Sequence, residues 1–440
     1  MKHSITGEIR LADDYTINID KLFEEALKEV YGEATVDEAK RTLSPSLFEL
    51  TNEPLQHAVE SAFSEPQFGQ PEPDFLNEFK YNTGVFSAFK AHAEQELLVS
   101  MLLDEEGNLR SFHEFRKAVK RIGIQWNEHW LRTEYNTAVR SARAAANYRD
   151  ALRSKEMYPN LEYLMSNAQD KRETHLELVG TIRPIEDPFW DTYLPPSDWN
   201  CACSVAPTDK PVTDLPTIVN EAPPVFRNNP GKTAEIVKLD EHPYLKGKGL
   251  PTCPECRRQG LVTGKIDNAD AFIDRGSQYC IQHRFVYLSN LKSFAKQAIN
   301  NLKMNKRHEA GNVVLGQLDN SIRKDLKSRG IKLHRTDALT NAHTIYKYID
   351  HGKASKGAVL PFEDMDYILT AILDPDKVYL QTGGKGKGCY IMTTPYKDGK
   401  VVKVLVHINY KEKRRVFNYV KSWGIVEEKG LNNGEVVEIK

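Results

Sequence analysis

The sequence predicts a multidomain α+β protein: a mainly helical N-terminal body with a small mixed, zinc-stapled region, then a C-terminal domain of helices and an antiparallel meander. Three observations predict it. The chain has 440 residues, more than one compact core accommodates. Over the first 155 positions, apolar residues recur at three- and four-residue steps, the stripe of amphipathic helices. The last 130 positions instead end in short β-rich runs separated by turn signals.

Ile19, Leu22, Phe23, Ala26, Leu27, Val30 and Tyr31 form the first stripe. Similar stripes run through PDFLNEFKYNTGVFSAFKAHAEQELLVSMLL and through the segment 111–154. Trp130 to Arg153 reads as one long helix, because Ala and Arg lose little on entering one. MYPNLEYLM breaks that pattern, and a smaller mixed region completes a body of residues 1–205. Residues 206–247 are rich in proline without sustained periodicity, so they read as an extended connector. A zinc-binding module and a helix, YLSNLKSFAKQAINNLKMNK, occupy 248–305, and the last domain is 306–440. There NVVLGQLDNSIRKDLKSRG and DALTNAHTIYKYIDHG read as helices. KVYLQTG, CYIMTTP, KVVKVLVHINY, RRVFNYVKSW and GEVVEIK read as strands, with Asp398-Gly399 marking a type I′ hairpin.

Net charge is −1 with 28% charged residues, a globular balance that names no partner. The average hides an asymmetry: residues 311–440 carry 22 Lys and Arg against 15 Asp and Glu, leaving the rest acidic. A basic tail on an acidic body points to a polyanion, RNA or packaged DNA, or else to a solvated surface. MKHSITGEIRLADDYTIN has no signal-peptide stretch, and no uncharged run approaches bilayer length. The expectation is a protein made in a cytoplasm, with no membrane partner. Six cysteines are then metal ligands or buried packing groups rather than disulfides.

Cys253-x2-Cys256 followed by Cys280-x2-His283 supplies two close pairs of donors, which close tetrahedrally on one Zn²⁺; the alternative is unligated buried thiols. Four protein ligands leave no open position, so this zinc is structural. Cys201-x-Cys203 is half a metal site, completed by His175 if the fold brings it near, and buried packing otherwise.

In the last domain His343, Lys347 and His351 follow at i, i+4 and i+8. Alternation along KVVKVLVHINY sends Val402, Val404, Val406 and Ile408 to one face and Lys403, His407 and Asn409 to the other. Lys411, Arg414 and Arg415 add positive charge, and Ser422 ends the next strand. Cleaving RNA through its own 2′-hydroxyl needs a proton acceptor, a proton donor and cations around the phosphorane, and no metal. These residues offer that set, and a solvated sheet face offers the same composition. QTGGKGKGCY lacks Walker spacing and reads as a hairpin loop; no HExxH, GxSxG, kinase or dinucleotide signature is present.

The stretch HLELVGTIRPIEDPFWDTYLPPSDWNCACSVAP closely resembles the signature of the phage head morphogenesis, or minor head, protein family of Mu-like phages. His175, Asp187, Trp190, Pro195, Pro196, Trp199, Asn200, Cys201 and Cys203 fill its places, with Ala202 where a basic residue is usual. WLRTEYNTAVRSARAAANY is similar to the family's Arg-Thr-x-x-Asn helix, and FRNNPGKTAEIVKLDEHPYL to a connector of its members. The resemblance covers roughly residues 15–290. It implies a virion component made in the host cytoplasm, associated with phage portal and capsid proteins, that assists head assembly. It makes the Trp/Pro/Cys cluster a rigid knot against the long helices.

The tail resembles, in topology alone, the metal-independent nuclease domains of the barnase–EndoU–colicin–RelE superfamily. That resemblance implies catalytic roles for His343, Lys347, His407, Lys411 and Ser422, and nucleic-acid contacts for Lys403, Asn409, Arg414 and Arg415. The rival readings are a purely structural assembly protein with a nucleic-acid-binding tail, and an ADP-ribosyltransferase tail, for which no Glu-x-Glu pair is found.

Overall fold

The computed structural model describes residues 8–12, 14–33, 35–64, 73–121, 128–166, 173–262, 278–304, 311–350, 359–412, 415–431 and 435–440. Two compact units result: Met1–Pro251 with Glu255–Phe272, and Thr252–Pro254 with Ile273–Lys440. Among the described residues no helix is long and apolar enough to cross a membrane.

The first unit opens with an antiparallel hairpin, β1 (Glu8–Ala12) and β2 (Tyr15–Asn18). Asn18 caps α1 (Ile19–Gly32), its side-chain oxygen accepting the Lys21 N–H at 2.9 Å. The apolar stripe buries Ile19, Ala26, Leu27 and Val30. Helices α2 (Val36–Arg41), α3 (Pro45–Ser64), α4 (Pro73–Val99), α5 (Phe112–Arg121) and α6 (Glu128–Arg153) follow. Helix α3 packs on α1, α4 and α6, and every α4 residue from 81 to 92 is buried. Several of its polar groups are paired: Thr83 and Ser87 hydroxyls donate to carbonyls one turn back, and Lys90 Nζ donates to Glu134 Oε2 of α6 at 2.6 Å.

Beyond α6 lies a three-stranded antiparallel sheet of order β4-β3-β5, from β3 (Asn160–Leu164), β4 (Ile182–Pro184) and β5 (Ser204–Thr208). Two short helices, α7 (Glu173–Leu176) and α8 (Phe189–Tyr193), sit in its connections. The strand β5 runs three residues into the stretch read as connector, and Pro207 is tolerated because β5 is an edge. After it come only short turns, including α9 (Pro230–Thr233), which presses Gly231 on α6. A Cβ at Gly231 would stand 2.6 Å from Tyr148 Cδ1, so no larger residue fits. The short α10 (Pro254–Arg258) follows.

The second unit is built from α11 (Ile281–Lys303), β6 (Asn312–Gln317), α12 (Asn320–Ser328), β7 (Asp337–Asn341), α13 (Ala342–Asp350), α14 (Asp366–Leu373), β8 (Lys377–Gln381), β9 (Tyr390–Pro395), β10 (Lys400–Glu412), β11 (Arg415–Glu427) and β12 (Val436–Glu438). Its seven strands run β12-β8-β9-β10-β11-β7-β6, antiparallel except for the β11/β7 pair. The expected meander is thus the middle of a larger sheet. NVVLGQ and DALTN are strands, not the starts of helices. The real helix starts are the caps behind them, Asp319 accepting the Ser321 N–H at 2.8 Å and Asn341 accepting the Thr344 N–H at 3.1 Å. Asp398 and Gly399 both have positive φ, 56° and 70°, as a type I′ turn requires. Val402, Val404 and Val406 are fully buried, and α14 packs against β6, β9 and β10.

Candidate metal centres

Cys253 immediately precedes α10 and Cys256 lies within it, while Cys280 caps α11 and His283 stands in its first turn. Their donor atoms all lie within 4.8 Å of one another and all four residues are buried. His283 Nδ1 is 2.9 Å from Cys280 Sγ and 3.8 Å from Cys253 Sγ. The knuckle is closed by backbone: Leu261 N–H donates to the Cys256 carbonyl at 2.9 Å, and Gly249 N–H to the Leu261 carbonyl at 3.0 Å. Donors around a tetrahedral Zn²⁺ with Zn–S of about 2.3 Å stand roughly 3.5–3.8 Å apart; the separation to Cys253 matches that edge, and the one to Cys280 is shorter. A buried set of three thiols and an imidazole can hold a metal with no position left for solvent.

The second cluster belongs to the knot. His175 lies in α7, and Cys201 and Cys203 precede β5; their donors also lie within 4.8 Å of one another. His175 Nδ1 is 3.5 Å from Cys201 Sγ and 3.7 Å from Cys203 Sγ. Two anchors fix this geometry. The first is the core of Tyr148, Leu161, Tyr163, Leu178, Ile185, Phe189, Trp190, Leu194 and Val205, in which Trp190 donates its indole N–H to the Pro184 carbonyl at 3.0 Å. Asp187 braces it, accepting from Phe189 N–H and from the Arg183 guanidinium. The second is α6. Asn200 takes the left-handed conformation, φ 57°, which Asn tolerates better than most residues. Its N–H donates to Thr137 Oγ1 at 3.3 Å, its Nδ2 to Thr133 Oγ1 at 3.2 Å, and its Oδ1 accepts from Asn136 Nδ2 at 3.3 Å. The Thr-x-x-Asn of the long helix thereby grips the Asn of Trp-Asn-Cys, 64 positions onward.

Hydrogen bonding to Cys203, and after it to His175, holds the Cys201 thiol well below its usual range against the opposing effect of burial. Cys203 is raised by the same Cys201 contact and by burial. Sequence reasoning missed the surroundings. Tyr163 OH reaches the Cys203 thiol and Ser197 Oγ, and Arg140 interacts electrostatically with Cys201, its Nη1 buried without a hydrogen-bond partner among the described residues. Nothing in the spacing of either residue announces this meeting. A cavity of about 400 Å³ opens beside His175, lined also by Ser197, Asp198, Asn220 and Glu221.

In the tail, His343 and Lys347 are exposed on α13, and His351 and Arg414 lie outside the described residues. Lys403, His407 and Ser422 are half-buried. Leu405 pairs with Ser422 and His407 with Tyr419, so Ser422 and His407 share the face of Lys403. Thr344 of α13 meets the Tyr419 hydroxyl at 2.6 Å, which puts the helix of His343 and Lys347 on that side. Burial, then Lys421, lowers the His407 pKa, and burial lowers that of Lys403. Asn409 and Ile408 depart from the expected alternation, because the register shifts between His407 and Tyr410 and Asn409 adopts φ 50°. The Asn409 amide is spent on backbone, accepting from His334 N–H at 3.1 Å and donating to the Lys332 carbonyl at 2.8 Å. Lys411 and Arg415 are exposed near the far end of the β10/β11 ribbon, opposite Val416 and Glu412.

Comparison with known proteins bears on the knot. Over 75 residues the chain is 33% identical to the F protein of Escherichia phage Mu, named for capsid assembly, and 37% identical to the Mu-like prophage FluMu F protein of Haemophilus influenzae. Each match takes in 17% of this chain, and the chain covers less than a fifth of either relative, 17% and 18%. No solved structure gives a significant match. The family described as phage Mu protein F like matches residues 107–206, the stretch from the end of the helical body through α6 to Cys201, Cys203 and β5. Residues 107–206 are therefore similar to the phage Mu protein F like family.

Proposed function

We propose that this chain is a phage head assembly protein, associated with portal and capsid proteins in the virion and, during assembly, in the host cytoplasm. One observation carries the reading: the F-like match spans both halves of the Asn200 clamp, and a relative sharing that stretch is named for capsid assembly. The test is an amber substitution at Trp190 in a phage that encodes the chain. Under suppression, purified heads contain the protein; without it, filled heads fall sharply in number. Normal heads lacking the chain would refute the reading.

We assign Zn²⁺ to Cys253, Cys256, Cys280 and His283 as a structural ion, because burial of all four donors leaves a water-free site that thiolate and imidazole ligands reserve for a borderline metal. Once bound, the ion supplies folding free energy rather than reactivity.

A second reading adds a ribonuclease-like effector in residues 306–440. The shared face of Lys403, His407 and Ser422, with α13 on the same side, favours it. Full-length protein incubated with labelled RNA, without added divalent cation, should cleave it, and His407→Ala should abolish cleavage. Intact RNA together with steeply salt-dependent binding would leave the tail a nucleic-acid-binding module instead.

A further inference from the structure

The two donor clusters differ in a way that gives the second a chemistry of its own. Among the described residues no fourth His, Cys, Asp or Glu joins His175, Cys201 and Cys203. Cys201 is buried, whereas His175 and Cys203 are half-exposed, and His175 forms part of the wall of the 400 Å³ cavity. The sulfur-to-imidazole separations of 3.5 and 3.7 Å match the edge of a metal-centred tetrahedron, roughly 3.5–3.8 Å for Zn–S near 2.3 Å. Donors stand ready for anionic sulfur: the Tyr163 hydroxyl at Cys203 and the Arg140 guanidinium near Cys201. Outer groups of this kind orient and tune thiolate ligands.

We propose that His175, Cys201 and Cys203 form a second, three-ligand zinc-class centre whose fourth position faces the cavity, holding water that exchanges for a neutral nitrogen donor. Charge selects the class of ligand. Two thiolates and a neutral imidazole cancel a divalent cation, so the ligand set carries no net charge, and the Arg140 guanidinium near buried Cys201 is not among the residues that line the cavity. The cavity wall adds the carboxylates of Asp198 and Glu221, the latter paired with Arg227 at 2.7 Å. An imidazole, free or on a partner's histidine, enters such a site without a charge penalty, and an anion does not. Three protein ligands plus an exchangeable position is the arrangement that leaves a metal open to outside donors, in contrast to the closed four-ligand set. The proposal is independent of the capsid reading.

The test uses the full chain purified with zinc. Two equivalents per chain are expected, with an average sulfur count by X-ray absorption between two and three per zinc. Cys201→Ser should lose one equivalent and keep the other. In Co²⁺-substituted protein, imidazole should shift the visible band, azide should not, and Cys201→Ser should lose the imidazole response. One equivalent in the parent, unchanged in Cys201→Ser, overturns the centre. A band indifferent to imidazole overturns the open position, and a shift with azide overturns the neutral-donor rule. Should Cys201→Ser fail to fold, the parent's metal and sulfur counts still decide the first point.

Discussion

The two thiol clusters were made by different means. Cys253, Cys256, Cys280 and His283 come as paired hooks, each on one turn at the start of a helix, and every donor is buried. His175, Cys201 and Cys203 come from a short helix and a strand entry, and two of the three are half-exposed. The first set is held by its own local turns. The second is held by a scaffold, the Trp190 core on one side and the Asn200 clamp on the other. Local hooks make a closed site; distant scaffolding makes an accessible one.

The sharpest way to break this comparison is to remove the closed site. Cys253→Ser should produce the largest loss of thermal stability, because structural zinc in small metal domains contributes on the order of 10 kcal/mol of binding free energy. Calorimetry with and without chelator measures it, and equal melting in both would argue that the thiols merely pack. Next comes the scaffold: Trp190→Ala empties a fully buried site and should cost about 3–5 kcal/mol. It should also loosen metal at His175, Cys201 and Cys203 while the four-donor set keeps its ion. Cys201→Ser should cost less, about 1–3 kcal/mol, since it removes one buried partner from a half-open cluster. Denaturant titration of the three variants should give that order.

A pH slope that involves neither cluster stands apart from that order. Glu94 of α4 carries a buried Oε2 with no hydrogen-bond partner among the described residues. Burial first, opposed by Lys90 and assisted by Glu134, raises its pKa to about 8. A carboxyl raised on folding favours the folded state while protonated, so the contribution is whole at low pH. It falls away as pH rises from about 4.5 through 8. Glu94→Gln should flatten stability over that window, and an unchanged slope would exclude Glu94 as its source.

What could be read in advance divides along the same line. The α1 stripe, the long α6 and the paired hooks depend on spacings of a few residues, and local spacing survives in the sequence. The place of Tyr163 and Arg140 beside the thiols depends on how α6 meets β3, which no spacing records. The β6 and β7 strands were hidden because their apolar runs merge with the helices behind them, and only the Asp319 and Asn341 caps mark the join. Alternation along β10 held as far as His407 and failed at Asn409, because a bulge changes the period without changing composition.

The grip of α6 on Asn200 makes the thiol cluster depend on the long helix. A lone segment gains nothing by holding asparagine left-handed; the hydroxyls of Thr133 and Thr137 and the amide of Asn136 reward that twist only after the helix has wound. The thiols just beyond it thus keep their spacing to His175 only while α6 is intact, and an ion bound there would tie the entry of β5 to the helical body.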